Sequence, residues 1–122
     1  MNEKIDSSEK LYRSVNPVNW YFPEGRVCSS LFKNPDGVSV DRDDGREENQ
    51  ILNSFFKRFG NEMVKAVVYV VADFCYNLPA CIVYKPEEDN EFHSEIHDTD
   101  KISLSNSKAK KLADNCNVIY YA

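Results

Sequence analysis

Residues 44–71 read DGREENQILNSFFKRFGNEMVKAVVYVV and contain the two clearest secondary-structure signals in the chain. The first half carries five apolar residues whose spacings place them on one stripe of a helix: Ile51, Leu52, Phe55, Phe56 and Phe59. Asp44 and Glu47 have the spacing of a capping box, and Gly60 can end the helix in a left-handed conformation. The pattern therefore predicts a helix over 46–59 whose apolar stripe is buried against a sheet.

The second half of this stretch is rich in valine. The run over 63–71 contains few polar residues, which predicts a central strand covered on both faces. Shorter alternating segments lie before and after it, and Ser105 is placed to cap a final helix. We therefore expect a single α+β domain over 11–122, with a mixed or antiparallel sheet of about five to six strands and two main helices packed against one face. Residues 1–10 are polar and without periodicity, which predicts a flexible N-terminal leader.

Composition and charge exclude several classes of protein. The chain has 122 residues, with 15 Lys and Arg against 20 Asp and Glu, for a net charge of -5. This sign is unfavourable for holding a phosphate backbone, so nucleic acid is disfavoured as a partner. The apolar run over 66–72 is far shorter than the roughly 20 residues of a membrane helix, and the N-terminus lacks a secretory signal pattern. We expect a soluble cytoplasmic protein whose four cysteines are free thiols.

Few polar side chains are placed to carry chemistry. Ser29, Ser30 and Ser39, with Asp41 and Arg13 on neighbouring predicted strands, can line a small polar cleft. A serine nucleophile needs a base within hydrogen-bond reach, and the sequence has no Gly-x-Ser-x-Gly elbow to expose it. A role in turns or caps is therefore the simpler interpretation for Ser39.

The segment His93-Ser94-Glu95-Ile96-His97 contains both histidines of the chain. On an extended strand these two histidines lie about 13 Å apart, at about 3.3 Å per residue, which is too far to hold one ion. We therefore predict no metal site and interpret the segment as an edge strand with an exposed face of histidines and acids. His93 and Glu95 remain candidates for catalysis, together with Arg13 and Ser39.

Two stretches are candidates for contact with a protein partner. One is an aromatic loop beside a Pro-Gly turn, which is either a lid on the sheet or an interface anchor: Trp20, Tyr21 and Phe22. The other is the stretch 86–100, which holds seven acids and no Lys or Arg. Its first three acids are Glu87, Glu88 and Asp89. Such an acidic surface steers a basic partner and speeds its encounter.

Several short motifs resemble those of small uncharacterised bacterial proteins of about this length, and the resemblance covers most of the chain. The motifs are Leu11-Tyr12-Arg13, Gly25-Arg26-Val27, Ser29-Ser30 with Phe32, Ser39-Val40-Asp41, and His93 with Ile96 before a Lys-rich terminal helix. This family implies no assigned reaction; it implies a bacterial cytoplasmic origin with mobile-element or defence neighbourhoods.

The strand at 11–13 is also similar to the opening of ADP-ribosyltransferase-like folds, in which a strand Leu-Tyr-Arg supplies an arginine that grips the dinucleotide. That similarity implies a role for Arg13 in binding NAD, with Glu95 as the nearest match to the late catalytic carboxylate. The aromatic residue that sandwiches nicotinamide in those folds has no aligned counterpart here.

The sequence favours a non-catalytic bacterial module, without a cofactor, that binds a protein partner through the aromatic loop and the acidic stretch. The oligomeric state stays open. The alternative is a small NAD- or nucleotide-acting enzyme of ADP-ribosyltransferase-like type. The enzyme requires the candidate side chains to line one concave pocket: Arg13, Ser39, His93 and Glu95. Placement of Arg13 and His93 on opposite sides of the sheet would exclude it.

Overall fold

The computed structural model describes residues 4–21 and 24–122, and their main feature is a six-stranded antiparallel sheet. Its strands are β1 (Lys10–Val15), β4 (Val38–Arg42), β5 (Ala66–Val71), β6 (Cys81–Tyr84), β7 (His93–His97) and β8 (Asn117–Tyr121). Two short strands, β2 (Trp20–Tyr21) and β3 (Arg26–Val27), form a separate two-stranded sheet. The main sheet has the order β6-β7-β4-β1-β5-β8. The prediction of a single α+β domain is confirmed.

Three helices complete the described structure: α1 (Glu48–Phe59), α2 (Ala72–Asn77) and α3 (Asn106–Asn115). Ser105 caps α3 as predicted, since its hydroxyl oxygen accepts from the backbone N–H of Lys108 at 3.2 Å. None of the helices in the described ranges is long and apolar enough to cross a membrane.

The start of α1 differs from the predicted one. Its N-cap is Glu47, whose backbone N–H donates to the side-chain oxygen of Gln50 at 3.0 Å, which is half of a capping box. Asp44 is not a cap, because it lies in a turn with a φ of 48°. The carboxylate of Asp43 accepts from the backbone N–H of Gly45 at 2.9 Å, so the chain completes this turn before the helix begins.

The two main helices lie on opposite faces of the sheet, so the prediction that they share one face is wrong. Helix α1 packs Ile51 in a cluster with Tyr12 and Val67. Helix α3 buries Leu112 in a second cluster that contains Val68. Successive residues of a strand point to opposite faces, so the single valine run of β5 supplies both cores.

The order of strands also corrects two expectations. Strand β5 lies one position inside an edge, between β1 and β8, while β4 and β1 occupy the centre. Strand β7 lies between β4 and β6, so it is not an edge strand. His93 and Glu95 are accordingly buried, because each has a neighbouring strand on both sides.

Ordered packing begins before residue 11. Ile5 is fully buried, and its carbonyl accepts from the Tyr76 hydroxyl at 2.6 Å. The buried carboxylate of Glu9 accepts from Nε of Arg42 at 2.7 Å and from its Nη2 at 2.8 Å. Residues 5–9 therefore pack on the domain, and the predicted leader is wrong for this part of 1–10. The sequence did not predict this packing, because Glu9 and Arg42 form a buried ion pair but each has the pattern of a surface charge.

Candidate functional site

The central pair of strands opens beyond its first two residue pairs, and Arg13 bridges the opening. Strands β1 and β4 pair through Leu11 with Arg42 and through Tyr12 with Asp41. The next residue of β1 is Arg13, whose Nη1 donates to the carbonyl of Ser39 in β4 at 2.7 Å. Its Nε donates to the carbonyl of Leu31 at 3.1 Å. A side chain thus takes the place of the backbone ladder here.

Arg13 keeps donors to spare. A guanidinium has five N–H donors, and the hydrogen bonds of Arg13 within the described residues go to two backbone carbonyls. Burial lowers the pKa of Arg13 to about 10, which leaves it a cation at neutral pH. Its positive charge therefore lies beside Ser39 without a carboxylate at hydrogen-bond distance in the described part of the chain.

A cavity of about 390 Å³ opens beside this guanidinium. Residues from three strands, from α1 and from the loop before β7 line it, among them Arg13, Ser39, Asp41, Phe55, Arg58, Phe59, Glu87, Asp89, Asn90 and His93. The predicted polar cleft is present for Arg13, Ser39 and Asp41, whereas Ser29 and Ser30 do not line it. Three of the four catalytic candidates share this cavity, although they are far apart in the sequence.

The register of β4 and β7 explains why Ser39 and His93 meet. Asp41 lies opposite His93, and Ser39 lies opposite Glu95. Because alternate residues of a strand share a face, all four side chains point to the face that α1 covers. Arg13 leaves β1 on the face opposite to His93, which is the placement that was expected to exclude an enzyme. Its guanidinium nevertheless lines the same cavity as His93, beside the opening between β1 and β4.

A second, smaller hollow adjoins the first. It measures about 240 Å³ and shares Arg13, Ser14 and Phe59 with the larger cavity. Phe59 is 49% exposed, since it lies in the last turn of α1 at the rim of both hollows. The prediction that Phe59 is buried with the rest of the apolar stripe is therefore wrong.

The imidazole of His93 has a defined tautomer. Its Nδ1 lies 2.8 Å from the carbonyl oxygen of Lys85, and a carbonyl can only accept a hydrogen bond. In the neutral ring the proton therefore belongs on Nδ1 and the lone pair on Nε2. That Nε2 lies 3.3 Å from Oγ of Ser39, so the serine hydroxyl is the donor in this contact. The ring is oriented as a general base toward Ser39.

The opposite wall of the cavity is held by a small polar network. The buried carboxylate of Asp41 pairs with Arg58 from α1, and its second oxygen accepts from the side-chain amide of Asn90 at 2.9 Å. This network anchors α1 and the loop before β7 to the centre of the sheet. Sequence reasoning missed Arg58 and Asn90, because residues on the flank of a helix and in a loop carry no periodic signal.

Glu95, the fourth catalytic candidate, does not line the cavity. Its carboxylate accepts from Nε2 of His97 at 2.8 Å, and its other oxygen lies 3.9 Å from Nε2 of His93. Gly37 packs directly against this pair. A Cβ atom at this position would lie 2.8 Å from Nε2 of His97, so there is no space for a side chain. Glu95 thus lies beside Nε2 of His93 and outside the lining of the cavity.

Of the aromatic loop, Trp20 is buried and does not form an exposed anchor. Trp20 is 6% exposed and stacks on Tyr121, with ring centroids 6.0 Å apart. Tyr21 is partly exposed, and the guanidinium of Arg26 lies 4.2 Å from its ring centroid. Phe22, the third predicted binding residue, lies outside the described residues. Trp20 therefore serves the core, which is the lid interpretation of this loop.

The acidic loop is exposed and borders the cavity. Glu87, Glu88 and Asp89 all face solvent, and Glu87 and Asp89 also line the cavity. The loop is closed by backbone hydrogen bonds between Glu87 and Asn90 at 2.9 and 3.1 Å. These acids therefore contribute negative charge to the rim, opposite the positive charge of Arg13.

Among the described residues, no group of three or more His, Cys, Asp or Glu side chains is arranged to hold a metal ion. Searches of protein-family models, curated proteins and solved structures found nothing that matches this chain. The geometry of the cavity is therefore the observation that bears on function.

Proposed function

We propose that this chain binds and acts on a small, nucleotide-like molecule in the Arg13 cavity. The observation that carries the proposal is the guanidinium of Arg13, which faces the cavity with unused donors beside Ser39 and His93. Such a fork of N–H donors matches a phosphate or carboxylate group. We expect the anionic group of the ligand to contact these donors of Arg13.

The rest of the cavity suits the remainder of such a ligand. Its volume falls in the range of small-molecule sites, and the rings of Phe55 and Phe59 offer an apolar surface to a planar group. The two rings stack with centroids 6.3 Å apart. The carboxylates of Glu87 and Asp89 can accept hydrogen bonds from hydroxyl or amino groups, which a nucleotide carries and inorganic phosphate does not.

The position of Arg13 agrees with the role that the resemblance to ADP-ribosyltransferase-like folds implies for it. The position of Glu95 does not, because that carboxylate lies outside the cavity. The proposal therefore keeps a nucleotide-like ligand on Arg13 and does not assign cleavage of NAD to Glu95.

The test is a titration of isotope-labelled protein with phosphate, AMP and NAD, followed by amide chemical shifts. We expect saturable shifts at cavity residues in the millimolar range or below. The Arg13→Gln variant should bind at least about tenfold more weakly, because a hydrogen bond to a charged group contributes about 1.5–3 kcal/mol. Arg26→Gln is the matched control, since Arg26 is exposed and far from the cavity in the β2–β3 sheet.

Folding of the variants is checked by circular dichroism. If Arg13→Gln does not fold, the parent protein still decides the question, because a ligand that binds the native state raises the midpoint of thermal unfolding. Absence of any saturable shift with all three probes would overturn the proposal. Equal weakening by Arg13→Gln and Arg26→Gln would overturn it as well.

A second candidate function is docking of a basic protein partner on the acidic loop, in a bacterial cytoplasm. The favouring observation is that Glu87, Glu88 and Asp89 are all exposed on one loop. Free thiols on all four cysteines, with Cys81 exposed, suit a reducing compartment.

Neutralising the acidic loop should slow association with a lysine-rich peptide by about tenfold at low salt, because steering by charge contributes that much or more to the rate. The variant carries Glu87→Gln, Glu88→Gln and Asp89→Asn, and stopped-flow fluorescence gives the rate. The charge-matched control neutralises three exposed acids elsewhere: Glu24, Asp36 and Glu62. An equal decrease of the association rate in both variants would mean that only the net charge matters, which would contradict docking on the acidic loop.

A further inference from the structure

We propose that Ser39 is a nucleophile for acyl transfer, that His93 is its general base, and that the substrate is a carboxylic ester of a small anionic molecule. This inference rests on the proposed function, because it assumes that the ligand occupies the Arg13 cavity.

His93 is placed to act as the general base for Ser39. The lone pair of His93 Nε2 faces the Ser39 hydroxyl at 3.3 Å, which is the loose end of the range for a nucleophile and its base before a substrate binds. The carbonyl of Lys85 holds the opposite ring nitrogen at 2.8 Å. Nucleophile, base and orienting group therefore stand in the order that activation of a serine requires.

Two carboxylates lie beside the ring that takes the proton of Ser39. A carboxylate oxygen of Glu95 lies 3.9 Å from Nε2, and one of Glu87 lies 3.9 Å from Nδ1. The same oxygen of Glu95 lies 3.7 Å from Nζ of Lys85. Glu95 and Glu87 thus act as positioning residues that work through His93.

Arg13 supplies positive charge at the reacting residue. Its Nη1 donates to the backbone carbonyl of Ser39 itself, so the guanidinium is fixed next to the nucleophile. The donors that remain can bind the oxygen on which negative charge develops when the serine attacks a carbonyl. The same cation can bind an anionic group of the substrate, which explains why the ester should be anionic.

Ser39 is also accessible, which a buried structural serine would not be. It is exposed, while its strand neighbours Val38 and Val40 are buried on the opposite face of the sheet. The hydroxyl therefore reaches the cavity from a strand that pairs with β7 at this position and that the Arg13 guanidinium ties to β1. A nucleophile on such a support keeps its geometry.

The reaction balances without a further reactant except water. Oγ of Ser39 attacks the ester carbon, the Oγ–C bond forms, and the hydroxyl proton moves to Nε2 of His93. The bond from carbon to the leaving oxygen then breaks, and that oxygen takes the proton from Nε2. Water gives a proton to Nε2 and attacks the acyl carbon. The bond from that carbon to Oγ then breaks, Oγ takes the proton from Nε2, and the acid leaves, which restores Ser39 and His93.

The test uses a fluorophosphonate, which forms a bond from serine Oγ to phosphorus and releases fluoride. Peptide mass spectrometry should place the label on Ser39, and Ser39→Ala should abolish it. His93→Gln should slow labelling by about 100-fold or more, as loss of a general base does. Ser30 is the internal control, because it is exposed and its hydroxyl donates to Asn19 instead of a histidine.

A second variant keeps His93 and so does not depend on the folding of His93→Gln. In Ser39→Cys, the introduced thiol should react with iodoacetamide at least about tenfold faster than the exposed thiol of Cys81, because a neighbouring base raises the fraction of thiolate. Equal labelling of Ser39 and Ser30, or an introduced thiol no faster than Cys81, would overturn the nucleophile.

Titration of the same samples with phosphate and AMP separates the two proposals. Binding of AMP without labelling of Ser39 would remove the nucleophile and leave the ligand site. Labelling of Ser39 without binding of either anion would support the nucleophile and overturn the anionic ligand. Neither binding nor labelling would overturn both.

Discussion

Replacing Glu9 by Gln should lower the free energy of unfolding by about 3 kcal/mol, which is the low end for a broken buried ion pair. Glu9 and Arg42 are joined by two hydrogen bonds of 2.7 and 2.8 Å, and both side chains are almost fully buried. The substitution keeps the shape of Glu9 and removes the carboxylate that accepts both of these hydrogen bonds from Arg42. Arg42 retains the Tyr84 ring at 4.7 Å and the Asp44 carboxylate at 3.9 Å, which moderates the loss.

Urea unfolding followed by tryptophan fluorescence measures this change. The control is Asp114→Asn, which breaks the exposed pair of Asp114 with Lys110 on α3 and should cost less than about 0.5 kcal/mol. If Glu9→Gln costs no more than this control, the buried pair of Glu9 and Arg42 does not stabilise the fold in the way the structure indicates.

Truncation of Ile51 to Ala should lower the free energy of unfolding by about 2–5 kcal/mol, the range for a large aliphatic residue that leaves a cavity in a core. Ile51 is fully buried and anchors α1 between Tyr12 and Val67. Because α1 also carries Arg58 and the two rings of the cavity wall, the substitution loosens the site together with the core.

Ile102→Ala removes the same atoms from a side chain that is 49% exposed, so it is the matched control. We expect it to change the free energy of unfolding by no more than about 0.5 kcal/mol. Urea unfolding of the two variants side by side gives the comparison. Similar losses for Ile51→Ala and Ile102→Ala would mean that α1 does not dock on the sheet through its apolar stripe.

The helices were predictable because their signals are local. The apolar stripe of α1 and the cap of α3 by Ser105 depend on residues within a few positions of one another. The faces that the helices cover were not predictable, because the valine run of β5 is apolar on both sides and does not say which side each helix takes. Long-range pairing decides this, and it leaves no periodic trace in one sequence.

The candidate site was predictable as a set of residue types and not as a geometry. Arg13, Ser39, Asp41 and His93 were singled out, and the register of β4 and β7 brings three of them to one face. The passage of Arg13 between two strands is an irregularity that strand alternation alone does not foresee. The burial of Trp20 was not predictable, because an aromatic cluster beside a turn gives the same sequence pattern whether it covers the core or faces a partner.

The opening between β1 and β4 makes one guanidinium serve two purposes. It joins β1 to β4 where their backbone pairing has ended, and it lines the cavity. If an anion binds to this guanidinium, the anion and the carbonyl of Ser39 share its donors. Occupancy of the cavity and the cohesion of the central strands would then be thermodynamically linked.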